Sequence, residues 1–432
     1  MPTRRIRKMR IAGIIAEYNP FHNGHIYHLE KTREMCKADY IIAVMSGNFT
    51  QRGEPAVMDK WTRARIAVDC GIDLVLELPF AFACNSAEYF ARGAVGILEG
   101  LGCVEYLSFG SESGDIETLG GIAEVLKKEP HVYREALKKH LDAGKSFPAA
   151  RELALTEMLD CEKIIKEPNN ILAIEYLKAN RTMTPVTINR KNSEHNQKDL
   201  PEEDGGSRIA SASAIRGSLR RGELDEVESF IPEACCSVMK GDFASMINVA
   251  GRDYFSLLQG SVLKRTPSEL SEIFAAGEGL ENKLKKAIRS APDLEALIKS
   301  VKSKRYTETR VRRLTAQTLI GLKEFSRSSY YARILGLNEK GAEILRYIKK
   351  KKTADIPVIT NINKDFPDAA QNSGWSAIMT SSGRRISEEK VEAMWNLLAY
   401  DILANDMYNL AFGRDLYKYS DYVVSPYVKT EL

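Results

Sequence analysis

Two histidines and a glycine near the N-terminus have the types and spacing for chemistry at phosphorus. His22 and His25 flank Gly24 in a His-X-Gly-His pattern, directly after an apolar run at residues 11–15. The run predicts a buried parallel strand, and Gly24 would then open a helix whose N–H groups attract an anion. Gly24 leaves room for a polyphosphate, and the histidines can donate to oxygens that gain charge during displacement. Two surface histidines beside a helix cap are the alternative.

A second cluster of polar residues completes the predicted anion site. Ser211, Ser213 and Arg216 lie in Ile-Ala-Ser-Ala-Ser-Ala-Ile-Arg, where the pattern predicts a helix start after a glycine-rich loop. Arg216 would lie one turn from Ser213, and a guanidinium can grip two phosphate oxygens at once. In isolation this is also the pattern of an ordinary serine cap with a solvated arginine. Together the two clusters predict a triphosphate site with the catalytic candidates His22, His25, Ser213 and Arg216.

A parallel sheet is the element that would bring these residues together. Short apolar runs alternate with amphipathic stretches, which predicts repeated β-α-β units and an α/β fold. Polar, glycine-bearing loops follow several of the runs, and ligands of such sheets bind at the carboxyl ends of the strands. The site is therefore expected along that edge. The predicted strands are residues 11–15, 40–45, 74–78, 104–109 and 185–189.

The second half of the chain has a different pattern. After about Leu219 no convincing strand alternation remains, and amphipathic helices dominate to about residue 410. We therefore predict two domains, an α/β nucleotide-binding catalytic domain at residues 1–220 and a mainly α-helical domain at residues 221–432.

Length and composition describe a chain that can bury a large core. Its 432 residues are 44% hydrophobic and 28% charged, and the formal net charge of +4 is too small to indicate a nucleic-acid partner by itself. The seven cysteines contain no Cys-X-X-Cys pair, which predicts reduced thiols. There is no run of about 18 apolar residues and no secretory signal, so a cytoplasmic protein without membrane contact is predicted. No carboxylate cluster indicates a protein-held metal.

Five blocks of sequence, in matching order, narrow the prediction to one family. They are Glu-Tyr-Asn-Pro-Phe-His-Asn-Gly-His at 17–25, Met-Ser-Gly-Asn-Phe-Thr-Gln-Arg-Gly-Glu-Pro at 45–55, Asp-Leu-Val-Leu-Glu-Leu-Pro at 73–79, Phe-Gly-Ser-Glu at 109–112 and Glu-Pro-Asn-Asn-Ile at 167–171. With these blocks the chain resembles the bacterial tRNA(Met) cytidine acetate ligases, within the superfamily of HIGH-motif nucleotidyltransferases. The match covers residues 11–216, and the helical remainder carries no comparably sharp motif.

The resemblance implies a Rossmann-like nucleotidyltransferase domain and a two-step reaction. ATP and acetate would form acetyl-adenylate and pyrophosphate, and the acetyl group would then pass to N4 of the wobble cytidine, C34, of elongator tRNA(Met), giving N4-acetylcytidine. The expected partners are ATP, acetate and this tRNA, with Mg²⁺ held mainly by the phosphates. The ATP contacts that the family implies are Ile15, Ala16, Glu17, Tyr18, Asn19, Pro20, Phe21, His22, Asn23, Gly24, His25, Ile26, Tyr27, His28, Gly110, Asn169 and Arg190.

Two basic stretches in the second half predict contacts with RNA. Each is interleaved with a tyrosine, Tyr306 or Tyr347, as expected where phosphates and unpaired bases are bound together. The alternative for both is a solvated charged face. The stretches comprise Lys299, Lys302, Lys304, Arg305, Arg310, Arg312 and Arg313, and Arg346 with residues 349–352.

Charged residues near the second and third predicted strands have less certain roles. Lys60, Arg63 and Arg65 could contact triphosphate or RNA, or lie on a solvated basic face of a helix. Asp73 and Glu77 begin and interrupt an apolar strand, and we predict that they are structural.

Three other functions remain open on the sequence. A small-molecule nucleotidyltransferase, which joins a nucleotide to a phosphorylated metabolite, would share both triphosphate clusters but would not need a second part of about 200 residues. A relative of class I aminoacyl-tRNA synthetases would need a Lys-Met-Ser-Lys-Ser-type loop where this chain has the serines before Arg216. A non-catalytic RNA-binding protein would not need His22, His25 and Ser213.

Overall fold

An eight-stranded sheet lies at the centre of the described part of the chain. The computed structural model describes residues 9–145, 147–190, 200, 208–247, 250–303, 305–328, 330–365 and 380–430; the glycine-rich loop before Ser211 and Lys304 lie outside them. The strands are β1 (Ile11–Ala16), β2 (Tyr40–Ser46), β3 (Leu74–Leu78), β4 (Tyr106–Ser111), β5 (Thr184–Asn189), β6 (Ala332–Leu337), β7 (Val358–Ile359) and β8 (Tyr427–Val428). Their order is β5-β4-β1-β2-β3-β6-β7, with β8 paired to β6.

The first five strands are parallel, which confirms the predicted α/β fold. β1 pairs with β2 on one side and with β4 on the other, and β5 extends the sheet beyond β4. The chain thus proceeds from β1 to β3 in one direction and returns past β1 for β4 and β5. Such a reversal opens a crevice beyond the carboxyl ends of β1 and β4, where ligands of this sheet type bind. β4 begins two residues later than predicted, because the apolar Val104 packs on the core without being part of the strand.

Helices cover the sheet and form most of the second half. α1 packs on β1, β4 and β5, and both α4 and α5 pack on α8. None of the described helices is long and apolar enough to cross a membrane. In chain order the helices are α1 (Asn23–Cys36), α2 (Lys60–Asp69), α3 (Phe80–Ala83), α4 (Ala87–Gly100), α5 (Ile116–Lys128), α6 (His131–Asp142), α7 (Phe147–Thr156), α8 (Pro168–Ala179), α9 (Ala212–Arg221), α10 (Leu224–Val227), α11 (Glu233–Ile247), α12 (Ala250–Leu263), α13 (Pro267–Ser271), α14 (Leu280–Ala287), α15 (Leu294–Val301), α16 (Glu308–Ile320), α17 (Glu339–Lys351), α18 (Ile362–Asp365) and α19 (Glu388–Ala411).

The second half also supplies strands, so the expectation that no strand follows Leu219 is wrong. β6 lies antiparallel to β3, and β7 and β8 are parallel to β6, all in the same sheet. All six residues of β6 are buried, so the strand lacks the alternation that reveals a half-exposed strand. β7 and β8 have two residues each, too few for any pattern. The division into domains after residue 220 stays a prediction.

Two long helices connect the second half to the carboxyl edge of the sheet. α16 and α19 pack against each other, and α19 also contacts α3, which follows β3. Gln317 on α16 donates to the carbonyl oxygen of Cys84 at 2.8 Å. Asp401 on α19 accepts a hydrogen bond from the Phe80 N–H at 2.6 Å. The first bond ties α16 to the residue after α3, and the second ties α19 to the first residue of α3.

Lys60 and Arg63 are internal, so neither role considered for them from the sequence is correct. Lys60 is 1% exposed, and its Nζ lies 2.8 Å from carboxylate oxygens of both Glu77 and Asp421. Arg63 is fully buried and donates to backbone carbonyls where β1 and β2 end. Charged side chains rarely lie this deep unless they are paired, and their partners here are distant in sequence. Of the three basic residues, Arg65 is exposed.

Asp73 has the structural role that was predicted. It is 1% exposed, accepts from the Ile41 N–H at 2.7 Å and pairs with Arg33 at 3.1 Å. Glu77 is likewise structural, through Lys60. All seven cysteines are free, as predicted.

Candidate functional site

A cavity of about 520 Å³ lies at the carboxyl edge of the sheet, where β1 and β4 end. This volume is in the range of small-molecule and cofactor sites. The N-termini of α1, α8 and α9 and one face of α16 contribute to its wall. Of the predicted site residues, those that line the cavity are Ile15, Ala16, Glu17, Tyr18, Asn19, His22, Gly24, His25, Tyr27, His28, Gly110, Asn169, Arg190, Ser213 and Arg216.

The rings of His22 and His25 stack at the N-terminus of α1, with 3.8 Å between their centroids. Each ring accepts a backbone hydrogen bond at Nδ1. The donor to His22 is the Gly24 N–H and the donor to His25 is the His22 N–H, both at 3.1 Å. A neutral ring whose Nδ1 accepts must carry its proton on Nε2, which assigns the tautomer of both histidines. The Nε2–H of each ring is thereby left to donate to a ligand.

Both histidines are neutral at physiological pH. Burial lowers the pKa of His22 to about 3, and Arg190 and Arg216 act in the same direction. Burial also lowers the pKa of His25 well below its ordinary value, with contributions from His22 and Arg190. For His28, burial and Arg190 lower the pKa to about 4. The histidines therefore act as neutral hydrogen-bond donors, and the positive charge of the site comes from arginine.

Gly24 is required by the neighbouring histidine. A Cβ at this position would lie 2.8 Å from Cε1 and 2.9 Å from Nδ1 of His22. The Gly24 N–H, which we expected to face a ligand, donates instead to the His22 ring. Any side chain at Gly24 would thus disturb the orientation of His22, in addition to occupying space beside the backbone.

α9 begins as the sequence predicts, with Ser211 as its cap. The Oγ of Ser211 accepts from the Ala214 N–H at 3.1 Å. Arg216 donates from Nη1 to the Asn19 carbonyl oxygen at 2.8 Å and from Nη2 to Ser213 Oγ at 3.2 Å. These two bonds hold the guanidinium and the hydroxyl together beside the turn that follows β1. The two polar clusters of the sequence are therefore brought to one place.

The charge of the cavity is positive. Its described lining contains four arginines and one carboxylate, that of Glu17. The N-termini of α1 and α9 add the positive ends of their helix dipoles. This distribution favours a polyanion over a neutral or cationic ligand. The four arginines are Arg52, Arg190, Arg216 and Arg313.

The side of the cavity formed by β4, β5 and α8 is apolar, and it includes Phe109, Leu172, Tyr176 and Ile188. A planar aromatic base fits such a surface. At its border, Gly110 leaves space for Arg190, since a Cβ there would lie 3.3 Å from Arg190 Cγ.

Asn169 is held in place by a carboxylate at the start of α8. Its Nδ2 donates to Glu112 at 2.5 Å, and the same carboxylate accepts from the Asn170 N–H at 2.9 Å. In return, Asn170 Oδ1 accepts from the Glu112 N–H at 3.0 Å. Glu112 thus occupies the N-terminus of α8, so this helix end is not a second phosphate site.

Four of the predicted nucleotide contacts do not line the cavity. Phe21 is fully buried and packs against Tyr18. Asn23 donates to backbone carbonyls of Arg208 and Ser229 at 2.9 and 3.0 Å. Ile26 packs on the core, and Pro20 follows a cis peptide bond. They shape the turn and the helix that carry the histidines.

Sequence reasoning missed a wall of the cavity that the second half supplies. Thr309 and Arg313 of α16 line the cavity, together with Gln51 and Arg52 of the loop after β2. The sequence places Arg313 in a basic stretch that predicts RNA contacts. Its spacing of four from Thr309 places both on one helix face, but nothing local in the sequence shows what that face meets.

Much of the first basic stretch is occupied by contacts within the protein. Arg312 lies within ion-pairing distance of three carboxylates, those of Glu54, Glu295 and Glu308. Tyr306 is 5% exposed, so the prediction that it stacks on RNA bases is wrong.

Comparison with known proteins decides which family the chain belongs to. A family model described as HIGH Nucleotidyl Transferase matches residues 9–420. The tRNA(Met) cytidine acetate ligase of Thermoanaerobacter sp. (strain X514) is 46% identical over 368 residues, which cover 82% of this chain and 90% of that protein. The chain belongs to the tRNA(Met) cytidine acetate ligase family. The ligase of Alkaliphilus metalliredigens (strain QYMF) is 38% identical and covers 98% of this chain and its own full length.

Solved structures in this family have the same fold across both halves. The crystal structure of Thermotoga maritima TmcAL bound with alpha-thio ATP has a TM-score of 0.82 and 32% identity, and the match covers 97% of this chain and 99% of that one. The apo form of the same protein has a TM-score of 0.85 with the same coverage. The predicted membership of the HIGH-motif superfamily and the predicted fold class are confirmed.

Proposed function

We propose that this chain is an ATP-dependent acetate ligase that acetylates N4 of the wobble cytidine, C34, of elongator tRNA(Met). The observation that carries the proposal is the cavity beyond β1 and β4. There, two neutral histidines, four arginines and two helix N-termini converge in a member of the tRNA(Met) cytidine acetate ligase family. The alpha-thio ATP bound by the T. maritima relative supports ATP as the ligand of this cavity. We expect the protein to act in the cytoplasm, where tRNA is modified.

In the first step, an acetate oxygen attacks the α-phosphorus of ATP. The new oxygen–phosphorus bond forms as the bond to pyrophosphate breaks, which leaves acetyl-adenylate. Acetate is deprotonated near neutral pH, so no general base is needed. The step requires alignment and donors for the charge that grows on the phosphoryl oxygens and on pyrophosphate. We assign these donors to the Nε2–H groups of His22 and His25, and to Arg216 with Ser213.

Mg²⁺ would be held mainly by the phosphates of ATP and would neutralise part of their charge. Within the described residues there is no group of three or more His, Cys, Asp or Glu side chains that could hold a metal. Mg²⁺ commonly keeps several waters and binds through substrate phosphates with one or two carboxylates. Glu17, the carboxylate that lines the cavity, would be the protein ligand of Mg²⁺. Its carboxylate accepts a hydrogen bond from the Gln51 N–H at 2.7 Å, which fixes its position.

In the second step, the N4 amine of cytidine attacks the acyl carbon of acetyl-adenylate. The carbon–nitrogen bond forms, AMP leaves with the electrons of the anhydride bond, and the amine loses a proton to phosphate or solvent. AMP is a good leaving group, so placement of the base dominates this step as well. An anticodon loop suits the site because its bases are unpaired and can be turned outward.

Of the two basic stretches, the one in α17 is the better candidate for a tRNA surface. Arg346 and the lysines at 349–352 are exposed. No carboxylate in the described part of the chain forms an ion pair with them, in contrast to Arg312. Cations without protein partners are free to neutralise RNA phosphates.

Replacing the lysines at 349–351 by Gln is expected to weaken tRNA binding. The slope of log Kd against log salt concentration should fall by about 2 to 3, because each lysine that neutralises a phosphate releases roughly one counterion from the RNA. Filter binding at several salt concentrations measures this slope. Gln at Lys127, Lys128 and Lys138, exposed lysines of α5 and α6, is the charge-matched control. An equal slope in both variants would show that the α17 lysines are merely solvated.

Gly110→Val is expected to weaken ATP binding by about tenfold, the loss of roughly one charged hydrogen bond, because the new side chain displaces Arg190. Calorimetric titration with ATP measures the affinity, and circular dichroism checks the fold. Gly120→Ala, where nothing lies within 4 Å of the added Cβ, is the control. Unchanged affinity would contradict the role of Arg190, and an unfolded Gly110→Val protein would show that the strand itself requires the glycine.

The rival function is a small-molecule nucleotidyltransferase. It would use the same triphosphate donors, but it does not account for a second half that supplies both a wall of the cavity and an exposed cationic helix. The deciding experiment incubates the protein with tRNA(Met), ATP, Mg²⁺ and isotopically labelled acetate, followed by mass spectrometry of the nucleosides. Labelled N4-acetylcytidine is the expected product. Its absence, with ATP binding intact, would favour the rival.

A further inference from the structure

One face of α16 points at the cavity and the adjacent face does not. Thr309 and Arg313, four residues apart, line the cavity, and Gln317, one turn further on, bonds to Cys84, the residue after α3. Glu308 and Arg312 lie on the adjacent face and pair with each other at 3.0 Å. The helix therefore presents one hydroxyl and one guanidinium to the interior of the site.

Arg313 has no carboxylate partner in the described part of the chain, whereas its neighbour Arg312 has three. The hydrogen bond that Arg313 does make is a long one, from Nη1 to the Gln51 carbonyl oxygen at 3.5 Å. Burial lowers the pKa of Arg313. A partly buried guanidinium without a counter-ion is costly, and an anionic ligand in the cavity would remove that cost.

The loop after β2 fixes the position of Arg313. Gly53 has φ +78°, and a Cβ there would collide with the backbone of Arg312 and Arg313. The loop thus lies directly on α16, with Gln51 and Arg52 next to Arg313 in the cavity wall. This close approach fixes the backbone at Arg313 against the loop.

Arg313 and Arg190, which we assign to ATP, line the cavity from different elements of the fold. Arg190 directly follows β5 and lowers the pKa of His22 and His25. Arg313 lies on α16 and donates to the Gln51 carbonyl oxygen in the loop after β2. Arg190 is therefore the cation beside the histidines, and Arg313 is the cation on the wall formed by α16 and the loop after β2.

We propose that Arg313, with Thr309, binds the carboxylate of the acid substrate. The inference rests on the proposed function and adds the residues that hold the second substrate. In-line displacement needs the attacking oxygen on the side of the α-phosphorus opposite pyrophosphate. With the triphosphate at α1 and α9, and the base on the apolar side at β4 and β5, the wall formed by α16 and the loop after β2 remains for the nucleophile. The guanidinium donates to one carboxylate oxygen and leaves the other to attack.

The test measures N4-acetylcytidine formation while acetate, ATP and tRNA are varied in turn. Arg313→Gln is expected to raise the KM for acetate about 10- to 100-fold, the loss of one charge-assisted pair, with KM for ATP and tRNA within about twofold. Arg313→Lys keeps the charge but lacks the planar donor geometry of a guanidinium, so its KM for acetate should lie between those of the wild type and Arg313→Gln. Arg310→Gln, on the same helix but outside the cavity lining, should leave the KM for acetate unchanged.

Each other result overturns the inference. A raised KM for ATP would make Arg313 a triphosphate contact, and a raised KM for tRNA alone would make it an RNA contact. A fall in kcat alone, or no change, would leave it without a role in binding the acid. If Arg313→Gln does not fold, Arg313→Lys decides by the same criteria. Absence of N4-acetylcytidine with the wild-type protein would instead refute the proposed function, so the two failures are distinguishable.

Discussion

His25→Asn is expected to slow the formation of acetyl-adenylate by about 100- to 1000-fold, the usual effect of removing one donor to a developing oxyanion. The reason lies in the two ring nitrogens. Nδ1 of His25 accepts the His22 N–H, and an asparagine oxygen can take that place. The Nε2–H, which we assign to the phosphoryl oxygens, has no equivalent in asparagine. The variant therefore removes the catalytic donor and keeps the structural bond.

Acetate-dependent exchange of labelled pyrophosphate into ATP measures the effect. His131→Asn is the control, because the His131 side chain is 74% exposed on α6, and it should exchange at the wild-type rate. The melting temperature of His25→Asn should be close to that of the wild type. Retained exchange in His25→Asn would exclude this histidine from the chemistry, whereas a large drop in melting temperature would point to a structural role.

Lys60→Met is expected to destabilise the fold by about 3–5 kcal/mol, the usual consequence of removing one partner from a buried ion pair. Lys60 lies between Glu77 and Asp421, and Arg333 would then be left to neutralise both at 3.1 and 2.9 Å. Asp421 belongs to the segment after α19, so the loss loosens the second half from the sheet. Urea denaturation followed by circular dichroism measures the change.

The dependence on pH makes this prediction specific. Arg333 and Lys60 together lower the pKa of Asp421 in the wild type, against the effect of burial. Without Lys60 the pKa of this carboxyl rises, so the folded variant binds a proton more readily than the folded wild type. The difference in unfolding free energy between wild type and Lys60→Met should therefore shrink as pH falls from 7 to 5. Lys31→Met removes an exposed pair with Glu34 and should leave the stability close to that of the wild type. A Lys60→Met protein as stable as this control would contradict the prediction.

The parts of the site that depend on residues close together in the sequence could be predicted from the sequence. The apolar run before His22 is a strand, Ser211 caps a helix, and Arg216 reaches Ser213 one turn away. Each of these features depends on residues within a few positions of one another, so it can be read from the spacing in the sequence. The five family blocks could also be recognised from the sequence, because each is a continuous stretch of residues.

Other properties depended on contacts between distant parts of the chain. The neutrality of His22 and His25 follows from burial and from Arg190 and Arg216, which come from other elements. β6 was missed because a strand buried on both faces has no alternating pattern. The burial of Lys60 could not be predicted, because its partners Glu77 and Asp421 come from other parts of the chain.

By itself, then, the sequence determined the family, the parallel sheet and the two polar clusters at its carboxyl edge. Only the tertiary structure decided that Arg313 faces the cavity while Arg312 faces carboxylates, and that the second half completes both the sheet and the site. Helical periodicity tells which residues share a face. Which elements that face contacts depends on packing between parts of the chain that are hundreds of residues apart. No local pattern in the sequence determines the free energy of that packing.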